Sequence, residues 1–381
     1  MRQNNVYREA AACARGQMVG SALFAFNSNI DRVFKTDTKG ALALAQKVGL
    51  KSLADAVRRG EGREEIVSRG TLELLMAAGS SEERIGGQAG NMANLAAALG
   101  VRSYIHSSVV CRGLTKHLHP SVLVPSPFCF QNASDIMSDG EVPVHFVVDF
   151  GRDRYIAVND MHNTHMLINR NFKRCMEKQV QLVDRAVVSG FHLLDIPEPK
   201  GRIEEVNVLL RRWKGANRRL KVHFEMGDYK RQDVLASVLE MFVPHCDSIG
   251  FNEHEARQVA SARGAKWRNE AAFMQEMLEL CPSAVMHTRD YAVMAGEGAD
   301  DAGKRLALGH LLAAFKAKEG REPLLEELES FEAKPVEVSG EVRKKFGRGF
   351  CFVPALSVGT ASGSLGLGDS FAVGYFCSKG E

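Results

Sequence analysis

Lys221-Val-His-Phe-Glu-Met226 begins a stretch that reads as strand, helix, strand, helix. An amphipathic segment follows at 231–242, then the short apolar run Ser248-Ile-Gly250, then a second amphipathic segment at 253–261. Nearly continuous apolar strands that alternate with helices are typical of a parallel sheet covered on both faces. The stretch therefore predicts an α/β fold.

The same alternation extends outward from this stretch. The other predicted strands are 18–26, 101–106, 142–150, 186–189, 284–287 and 350–356, and the other predicted helices are 91–99, 171–183, 204–214 and 269–280. Ligands of such sheets bind beyond the carboxyl ends of the strands, so polar residues at those ends are the functional candidates. Two regions break the rhythm, the charged and mostly helical 31–81 and the alternating 125–164, which suggests a small second domain or lid.

Composition excludes several classes of protein. The chain has 381 residues, 45% of them hydrophobic and 25% charged, with a net charge of +3 carried by scattered basic residues. We therefore expect no nucleic-acid partner, and no apolar run is long enough for a membrane partner. The eight cysteines are dispersed and form no C-x-x-C pair, which favours reduced thiols and a cytoplasmic location. The oligomeric state stays open between monomer and dimer.

Near the C-terminus, Ser364-Leu-Gly-Leu-Gly-Asp-Ser-Phe371 combines two glycines, a carboxylate and a following apolar run. Backbone amides left uncovered at a helix N-terminus bind phosphate, and a carboxylate beside them can accept a proton from an attacking hydroxyl. The candidates are Gly366, Leu367, Gly368 and Asp369. A tight turn with Asp369 as helix cap is the alternative.

Two polar stretches are candidates for binding a polyhydroxylated molecule. In Ile85-Gly-Gly-Gln-Ala-Gly-Asn91, three glycines allow close backbone approach and two side-chain amides offer donors and acceptors. In Phe26-Asn-Ser-Asn-Ile-Asp31, polar side chains follow the first strand. The candidate residues are Gly86, Gly87, Gln88, Asn91, Asn27, Asn29 and Asp31. Ordinary turns with Asn or Asp caps are the alternative for both stretches.

Three further strand ends carry possible metal or nucleotide ligands. His223 and Glu225 point to one side of their strand, while Asn252 and Glu255 are spaced to meet on one helix face. Oxygen ligands at adjacent strand ends suit Mg²⁺. Caps or surface charges are the alternative, and His287 in Met286-His-Thr288 can equally be a packed core histidine.

In combination these motifs resemble the ADP-dependent glucokinase/phosphofructokinase family of the ribokinase-like superfamily. The similar segments run in family order from about Ala25 to the C-terminus. They are Arg84-Ile-Gly-Gly-Gln-Ala-Gly90, Arg154-Tyr-Ile156, Val188-Ser-Gly-Phe191, Val222-His-Phe-Glu225, Asn252-Glu-His-Glu255, Met286-His-Thr288 and Gly366-Leu-Gly-Asp369.

The resemblance implies a ribokinase-like three-layer α/β/α sandwich with a mainly parallel sheet, plus a smaller α+β lid domain. It places the large nucleotide-binding domain at 1–28, 66–124 and 165–381, and the small sugar-binding lid at 29–65 and 125–164.

The resemblance also implies roles. Asp369 becomes the base, and the amides of Gly366, Leu367, Gly368 and Asp369 form the anion hole. Glu225 and Glu255 organise Mg²⁺ or another divalent cation. Asn252, His287 and Thr288 lie on the side of the nucleotide, and ADP is the phosphoryl donor. Arg154 joins the substrate-binding residues.

The acceptor is expected to be glucose, with fructose 6-phosphate or another sugar as the alternative. Glu64, or else Glu65, matches the lid glutamate that glucokinases of the family use, and Asp160 stands where the phosphofructokinases carry a basic residue. Some departures leave reduced activity or an unusual sugar open: a short lid segment at 150–154, Ser364-Leu365 before the glycines, and an end at Glu381. A sugar- or nucleotide-binding protein of weak activity is the remaining alternative.

Overall fold

The computed structural model describes residues 2–14, 16–79, 82–151, 153–359 and 365–379. Met1, Ser364 and Glu381, which entered the predictions above, lie outside these ranges. Within the described ranges, no helix combines the length and the apolar character that crossing a bilayer requires.

The described residues form seventeen strands: β1 Ser21–Ala25, β2 Asn29–Lys35, β3 Arg63–Ile66, β4 Glu82–Gly86, β5 Arg102–Ile105, β6 Leu123–Pro125, β7 Phe130–Asn132, β8 Val144–Asp149, β9 Arg154–Val158, β10 Arg185–Val188, β11 Lys221–Glu225, β12 Ser248–Phe251, β13 Ser283–His287, β14 Tyr291–Gly296, β15 Lys334–Pro335, β16 Phe350–Pro354 and β17 Leu356–Ser357.

The same part of the chain forms sixteen α-helices: α1 Arg2–Ala14, α2 Thr38–Val48, α3 Lys51–Arg59, α4 Arg69–Met76, α5 Gln88–Ala98, α6 Arg112–Thr115, α7 Met161–Thr164, α8 Arg170–Gln179, α9 Pro199–Ala216, α10 Gln232–Met241, α11 Glu253–Ala262, α12 Glu270–Met277, α13 Gly303–Glu319, α14 Leu325–Ser330, α15 Gly340–Lys345 and α16 Leu367–Phe376. Short 3₁₀ turns lie at Ala133–Asp135, Val180–Leu182, Phe191–Leu193 and Val243–His245.

A ten-stranded sheet forms the centre of the molecule, in the order β16-β14-β13-β12-β11-β10-β1-β5-β6-β7. The seven strands from β13 to β6 in this order run parallel, and the antiparallel strands lie at the two edges. The predicted mainly parallel sheet is confirmed. Its parallel strands bring the ends of β1, β10, β11, β12 and β13 to one edge.

Helices cover both faces of this sheet. Val187 and Val188 are neighbours in β10, yet they belong to two different buried clusters, because successive side chains of a strand point to opposite faces. One cluster includes Phe224, Phe242 and Met286, and the other includes Phe24 and Phe371. Burial of apolar side chains on both faces gives the three-layer α/β/α arrangement.

A second sheet has five strands in the order β3-β9-β8-β2-β4. Helices α2, α3 and α4 pack on one face around Leu53, Phe146 and Tyr155. The strand registers place Asp31 beside His145, and Glu64 beside Ile156, on the other face. This polar face is turned toward the large sheet, since Glu64 contacts His192 just after β10.

The division into domains remains a proposal, and the sheets add detail to it. Strand β4 and helix α4 lie within the segment 66–124 that we expected in the large domain, but they belong to the five-stranded sheet and its core. The charged sequence Arg63-Glu-Glu-Ile66 of β3 lacks the apolar pattern of a strand, and it forms an edge strand where polar side chains are tolerated.

Candidate active site

Helix α16 begins directly after Gly366, whose φ of 69° is in the left-handed region that favours glycine. The first amides of a helix have no partner inside the helix, so those of Leu367, Gly368 and Asp369 are available to an anion. The helix is ten residues long and buried from Ser370 to Phe376. It packs on α13 so closely that a Cβ on Gly374 would lie 2.6 Å from the backbone N of Gly309. The turn at 366–369, the predicted phosphate turn, is thus held by a rigid support.

The Asp369 carboxylate lies at this turn. Its Oδ2 accepts a 2.8 Å hydrogen bond from Nδ2 of Asn91, which lies on α5. Burial raises the pKa of Asp369 from 3.8 to about 6, and the Asn91 amide and the Lys316 ammonium oppose a larger rise. A carboxylate with a pKa of about 6 is mostly ionised at neutral pH and is a better proton acceptor than an exposed aspartate.

Three buried amide oxygens lie in the predicted sugar-binding motifs. Asn27 Oδ1, Asn29 Oδ1 and Gln88 Oε1 have no hydrogen-bond partner among the described residues. Buried polar atoms are nearly always hydrogen-bonded, so three unsatisfied acceptors at one place indicate a site that hydroxyl donors would complete. Gln88 is itself fixed by a 2.7 Å hydrogen bond from its Nε2 to the carbonyl of Met226.

Gly86 and Gly87 bring these residues together. A Cβ on Gly86 would lie 2.1 Å from Oδ1 of Asp31 and 2.6 Å from Nδ2 of Asn29, and a Cβ on Gly87 would lie 2.5 Å from the carbonyl of Asn27. Asn29 Nδ2 donates a 2.8 Å hydrogen bond to Asp31, and burial raises the pKa of the Asp31 carboxyl. The two glycines are therefore required by contact with the polar residues after β1.

His145 was not among the predicted site residues, although it lies beside Asp31 on the polar face of the small sheet. Its Nε2 lies 3.2 Å from Asp160 Oδ2. Burial alone would lower the pKa of His145, but Asp160, Asp31 and Glu64 raise it above its ordinary value. The alternating pattern of its strand was the sequence signal for His145, but its place beside Asp31 follows only from the strand register.

Asp160 is buried and also caps helix α7, where its Oδ1 accepts hydrogen bonds from the amides of His162 and Asn163. Burial would raise the pKa of this carboxyl, but the hydrogen bond and charge of His145 lower it. Asp160 is therefore a negative charge held in place beside His145.

Glu64 lies on the same polar face, with its Oε2 3.5 Å from Nε2 of His192. Burial would raise its pKa, but His192 keeps the pKa below the ordinary value. The Arg154 charge lowers the pKa of both Glu64 and Asp369, against the larger effect of burial. Beside Glu64 opens a cavity of about 330 Å³, lined on its large-domain side by His192, Lys230 and Arg231 among others.

The predicted metal side centres on Glu225. Its two oxygens lie 2.9 Å from His223 Nε2 and 3.0 Å from His287 Nε2. Burial would raise the pKa of Glu225, but the two histidine hydrogen bonds hold it at about 2. In Glu255, burial and the Glu225 charge together raise the pKa to about 7.

These two carboxylates fit a divalent cation in one respect, since its charge would offset the burial and the Glu225 repulsion that raise the pKa of Glu255. The described side chains include no group of three or more His, Cys, Asp and Glu arranged to hold a metal directly. Water would have to supply most of the ligands, as Mg²⁺ commonly allows.

Asn252, His287 and Thr288 have partners within the fold. Asn252 and Glu255 form a capping box at the start of α11. A Cβ on Gly368 would lie 3.3 Å from Cε1 of His287, so this histidine links Glu225 to the phosphate turn. The Thr288 hydroxyl accepts from the amides of Asp290 and Tyr291 and closes the turn before β14. Nucleotide contacts of the three residues stay predictions.

Known proteins resemble the chain in sequence and in fold. Residues 44–377 match the conserved region of ADP-specific phosphofructokinase/glucokinase. An ADP-dependent glucose/glucosamine kinase of Pyrococcus furiosus is 25% identical over 95% of this chain and 94% of its own length. An ADP-specific phosphofructokinase of the same organism is 22% identical over a shorter stretch.

 This match to the phosphofructokinase covers 52% of this chain and 49% of the relative.

Among solved structures, a phosphofructokinase from Pyrococcus horikoshii OT3, crystallised with AMP, superimposes with a TM-score of 0.75 over 95% of this chain and 98% of its own, at 18% identity. At an identity this low, the superposition bears on the fold alone. It confirms the ribokinase-like arrangement of a three-layer sandwich with a smaller α+β unit. The sequence match spans 44–377, which includes the glycine motifs, both carboxylate motifs and Asp369. The chain therefore belongs to the ADP-specific phosphofructokinase/glucokinase family, whose members are ADP-dependent sugar kinases.

Proposed function

We propose that the protein transfers the β-phosphoryl group of ADP to a hydroxyl of glucose, giving glucose 6-phosphate and AMP, with Asp369 as the base. The observation that carries the proposal is the position of the Asp369 carboxylate. It is half-buried, has a pKa raised to about 6, lies at a glycine turn that opens a helix, and is hydrogen-bonded to the sugar-side residue Asn91.

In this proposal the Asp369 carboxylate accepts the proton of the attacking hydroxyl. The amides of Gly366, Leu367, Gly368 and Asp369 face the phosphoryl group, where donors fixed in advance stabilise developing negative charge. Two basic side chains support them. Arg154 is always charged, and the pKa of His287 is raised, against the effect of burial, by the carboxylate of Glu225.

A divalent cation, Mg²⁺ in the first instance, is held in this proposal by Glu225 and Glu255 through water, with Asn252 nearby. When bound, it supplies charge neutralisation for the phosphates of the nucleotide. The two glutamates orient its water shell, and His223 and His287 fix the oxygens of Glu225 by hydrogen bonds.

On the sugar side, amide and carboxylate oxygens accept hydrogen bonds from hydroxyls, and the amide N–H groups donate to them. The residues are Asn27, Asn29, Asp31, Gln88 and Asn91. Gly86 and Gly87 allow the ring to approach the backbone. The unsatisfied oxygens of Asn27, Asn29 and Gln88 support this assignment. The small domain acts as a lid that excludes water from the transferring group.

Glucose is favoured over fructose 6-phosphate by charge. Glu64, Asp31 and Asp160 make the lid face rich in carboxylates, and they suit hydroxyl donors better than a second phosphate. The relative matched over nearly the whole chain is a glucose/glucosamine kinase, which agrees with this choice. The alternative is 6-phosphofructokinase activity, and its support is the match to an ADP-specific phosphofructokinase.

The experiment is a panel of donors and acceptors. ADP and ATP are each incubated with glucose, glucosamine and fructose 6-phosphate, and AMP and sugar phosphate are measured. We expect the highest kcat/KM with ADP and glucose. A preference for fructose 6-phosphate would replace glucose as the proposed acceptor. Absence of transfer with every donor and acceptor pair would overturn the kinase proposal.

A further inference from the structure

Lys316 is a buried lysine close to the phosphate turn. It lies in the last turns of α13, and its side chain is 10% exposed. Lysine is rarely buried unless it is paired, and here Nζ donates a 2.8 Å hydrogen bond to Oε1 of Glu322. The sequence motifs do not include it, and it has no role in the proposed reaction so far.

Three distances from the Cβ position of Gly366 show where the Lys316 ammonium lies. A Cβ on Gly366 would be 3.0 Å from Lys316 Nζ, 3.4 Å from Asn91 Nδ2 and 3.4 Å from Asp369 Oδ2. An ammonium, an amide and a carboxylate therefore surround the glycine that opens α16. Charges so close, away from bulk water, interact strongly.

The Glu322 carboxylate partly neutralises the positive charge of Lys316. Only Oε1 of Glu322 is bonded to the lysine, while its Oε2 is buried without a partner among the described residues. The ammonium thus lies between a fixed glutamate on one side and the Asp369 turn on the other. Removal of the Lys316 charge would make the electrostatic potential at Asp369 more negative, and removal of the Glu322 charge would make it more positive.

We propose that Lys316 is a positioning residue for phosphoryl transfer: its ammonium keeps Asp369 ionised, and Glu322 limits the strength of that effect. The inference rests on the proposed function, because it is Asp369 as base that gives the ionisation its importance. In agreement, the Lys316 charge lowers the pKa of Asp369 against the larger effect of burial.

Other groups face Asp369 and stay unchanged in the test. Asn91 donates a hydrogen bond, the Arg154 charge lowers the pKa of Asp369, the Glu225 charge raises it, and His287 lies beside Gly368. His310, on the same helix as Lys316, packs on Phe371, and burial lowers its pKa to about 3, so it is neutral.

The test is the pH dependence of kcat/KM for glucose with saturating ADP and Mg²⁺, which reports the ionisation of the base before the sugar binds. Lys316→Met should move the acidic limb up by about one pH unit, as expected for loss of a nearby opposite charge. Glu322→Gln should move it down, and Lys316→Arg should leave it near the wild-type position. Lys318→Met, which removes an exposed lysine of the same helix, is the matched control and should not move the limb.

A measurement without turnover separates this inference from the proposed function. In protein labelled with ¹³C at aspartate carboxyls, the Asp369 resonance is identified by its loss in Asp369→Asn and then titrated in each variant. Shifts of opposite sign in Lys316→Met and Glu322→Gln support the inference even if wild-type protein phosphorylates no sugar, a result that would overturn the proposed function alone.

Equal pKa values of Asp369 in wild type, Lys316→Met and Glu322→Gln would overturn the inference even if the kinase is active. If Lys316→Met does not fold, Glu322→Gln carries the test, because it retains the lysine and makes the opposite prediction. A merely structural role for Lys316 would lower the melting temperature and leave the titration of Asp369 unchanged.

Discussion

Asn91 Nδ2 donates a 2.8 Å hydrogen bond to Oδ2 of Asp369, although 278 positions separate the two residues in the chain. Asn91 lies in the helix that follows the sugar-side glycines, and Asp369 lies at the phosphate turn. One hydrogen bond therefore joins the predicted acceptor site to the predicted base. The Asp369 carboxylate is thus fixed by the helix that carries the predicted sugar-binding residues Gln88 and Asn91.

Asn91→Ala removes this hydrogen bond while leaving the two helices in place. We expect kcat to fall about tenfold or more, because a hydrogen bond to a charged group contributes about 1.5–3 kcal/mol. The acidic limb of the pH profile should also move to higher pH, since the Asn91 amide lowers the pKa of Asp369.

The matched control is Asn94→Ala on the same helix, whose side chain bonds the carbonyl of His117 and the amide of His119. Asn94→Ala should lower the free energy of unfolding without moving the acidic limb of the pH profile. An Asn91→Ala variant with an unchanged pH profile would show that the hydrogen bond has no effect on the base.

Gly86→Ala would place a methyl group 2.1 Å from Oδ1 of Asp31. We expect it to raise the KM for glucose and to destabilise the fold by about 1–3 kcal/mol, as overpacking in a buried site does. Gly201→Ala, in helix α9, meets no atom within 4 Å and should leave the KM unchanged. Steady-state kinetics and thermal unfolding measure both effects, and equal KM values for the two variants would contradict the predicted sugar site.

Glu64 and Glu65 are neighbours in β3 but point to opposite faces of the sheet. Glu64 faces His192 across the cleft, and Glu65 bonds the Tyr155 hydroxyl on the helical side. Glu64→Ala should raise the KM for glucose about tenfold or more if its carboxylate accepts from a hydroxyl. Glu65→Ala should not. The reverse order of effects would mean that the lid glutamate is assigned to the wrong residue.

Glu255 has a pKa of about 7, raised from 4.5 by burial and by Glu225. If a cation replaces its proton, binding of Mg²⁺ with ADP should release that proton below about pH 7 and progressively less above it. Calorimetry in buffers of different ionisation enthalpy counts the protons. In Glu255→Gln, the only proton released on binding should be that of the nucleotide itself. Equal numbers of released protons in wild type and Glu255→Gln would exclude Glu255 from the metal site.

The parts of the fold that sequence reasoning located are those with a strong local pattern. Strand β11 is buried from Val222 to Glu225 and was expected as an apolar run. By contrast, β2 contains Asn29, Asp31 and Arg32, and its strand character depends on pairing with β4 and β8. Such pairing is a tertiary effect that local propensity does not express.

The same distinction applies to the site. The motif Gly366-Leu-Gly-Asp369 was predicted from its glycine spacing, and Gly366 has the positive φ that favours glycine. His145 and Lys316 were not predicted, since only the fold brings each of them beside a candidate residue. Asp31 lies beside His145 through the strand register, and the start of α16 lies beside Lys316.

Asp369→Asn gives the most direct test of the central claim. Asparagine keeps the shape of the side chain but cannot accept the hydroxyl proton, so kcat should fall by about 10²–10⁴. Because burial raises the pKa of Asp369 from 3.8 to about 6, its ionisation costs stability as pH rises through that range. The variant should therefore be at least as stable as wild type at pH 7.

The measurement is AMP formation from ADP and glucose at pH 7 by wild type and Asp369→Asn, with ADP binding and thermal unfolding recorded for both. We predict AMP and glucose 6-phosphate in equal amounts from wild type, and a loss of at least about 10² in kcat for the variant with ADP binding retained. Wild-type turnover that persists in Asp369→Asn would contradict the assignment of Asp369 as the base.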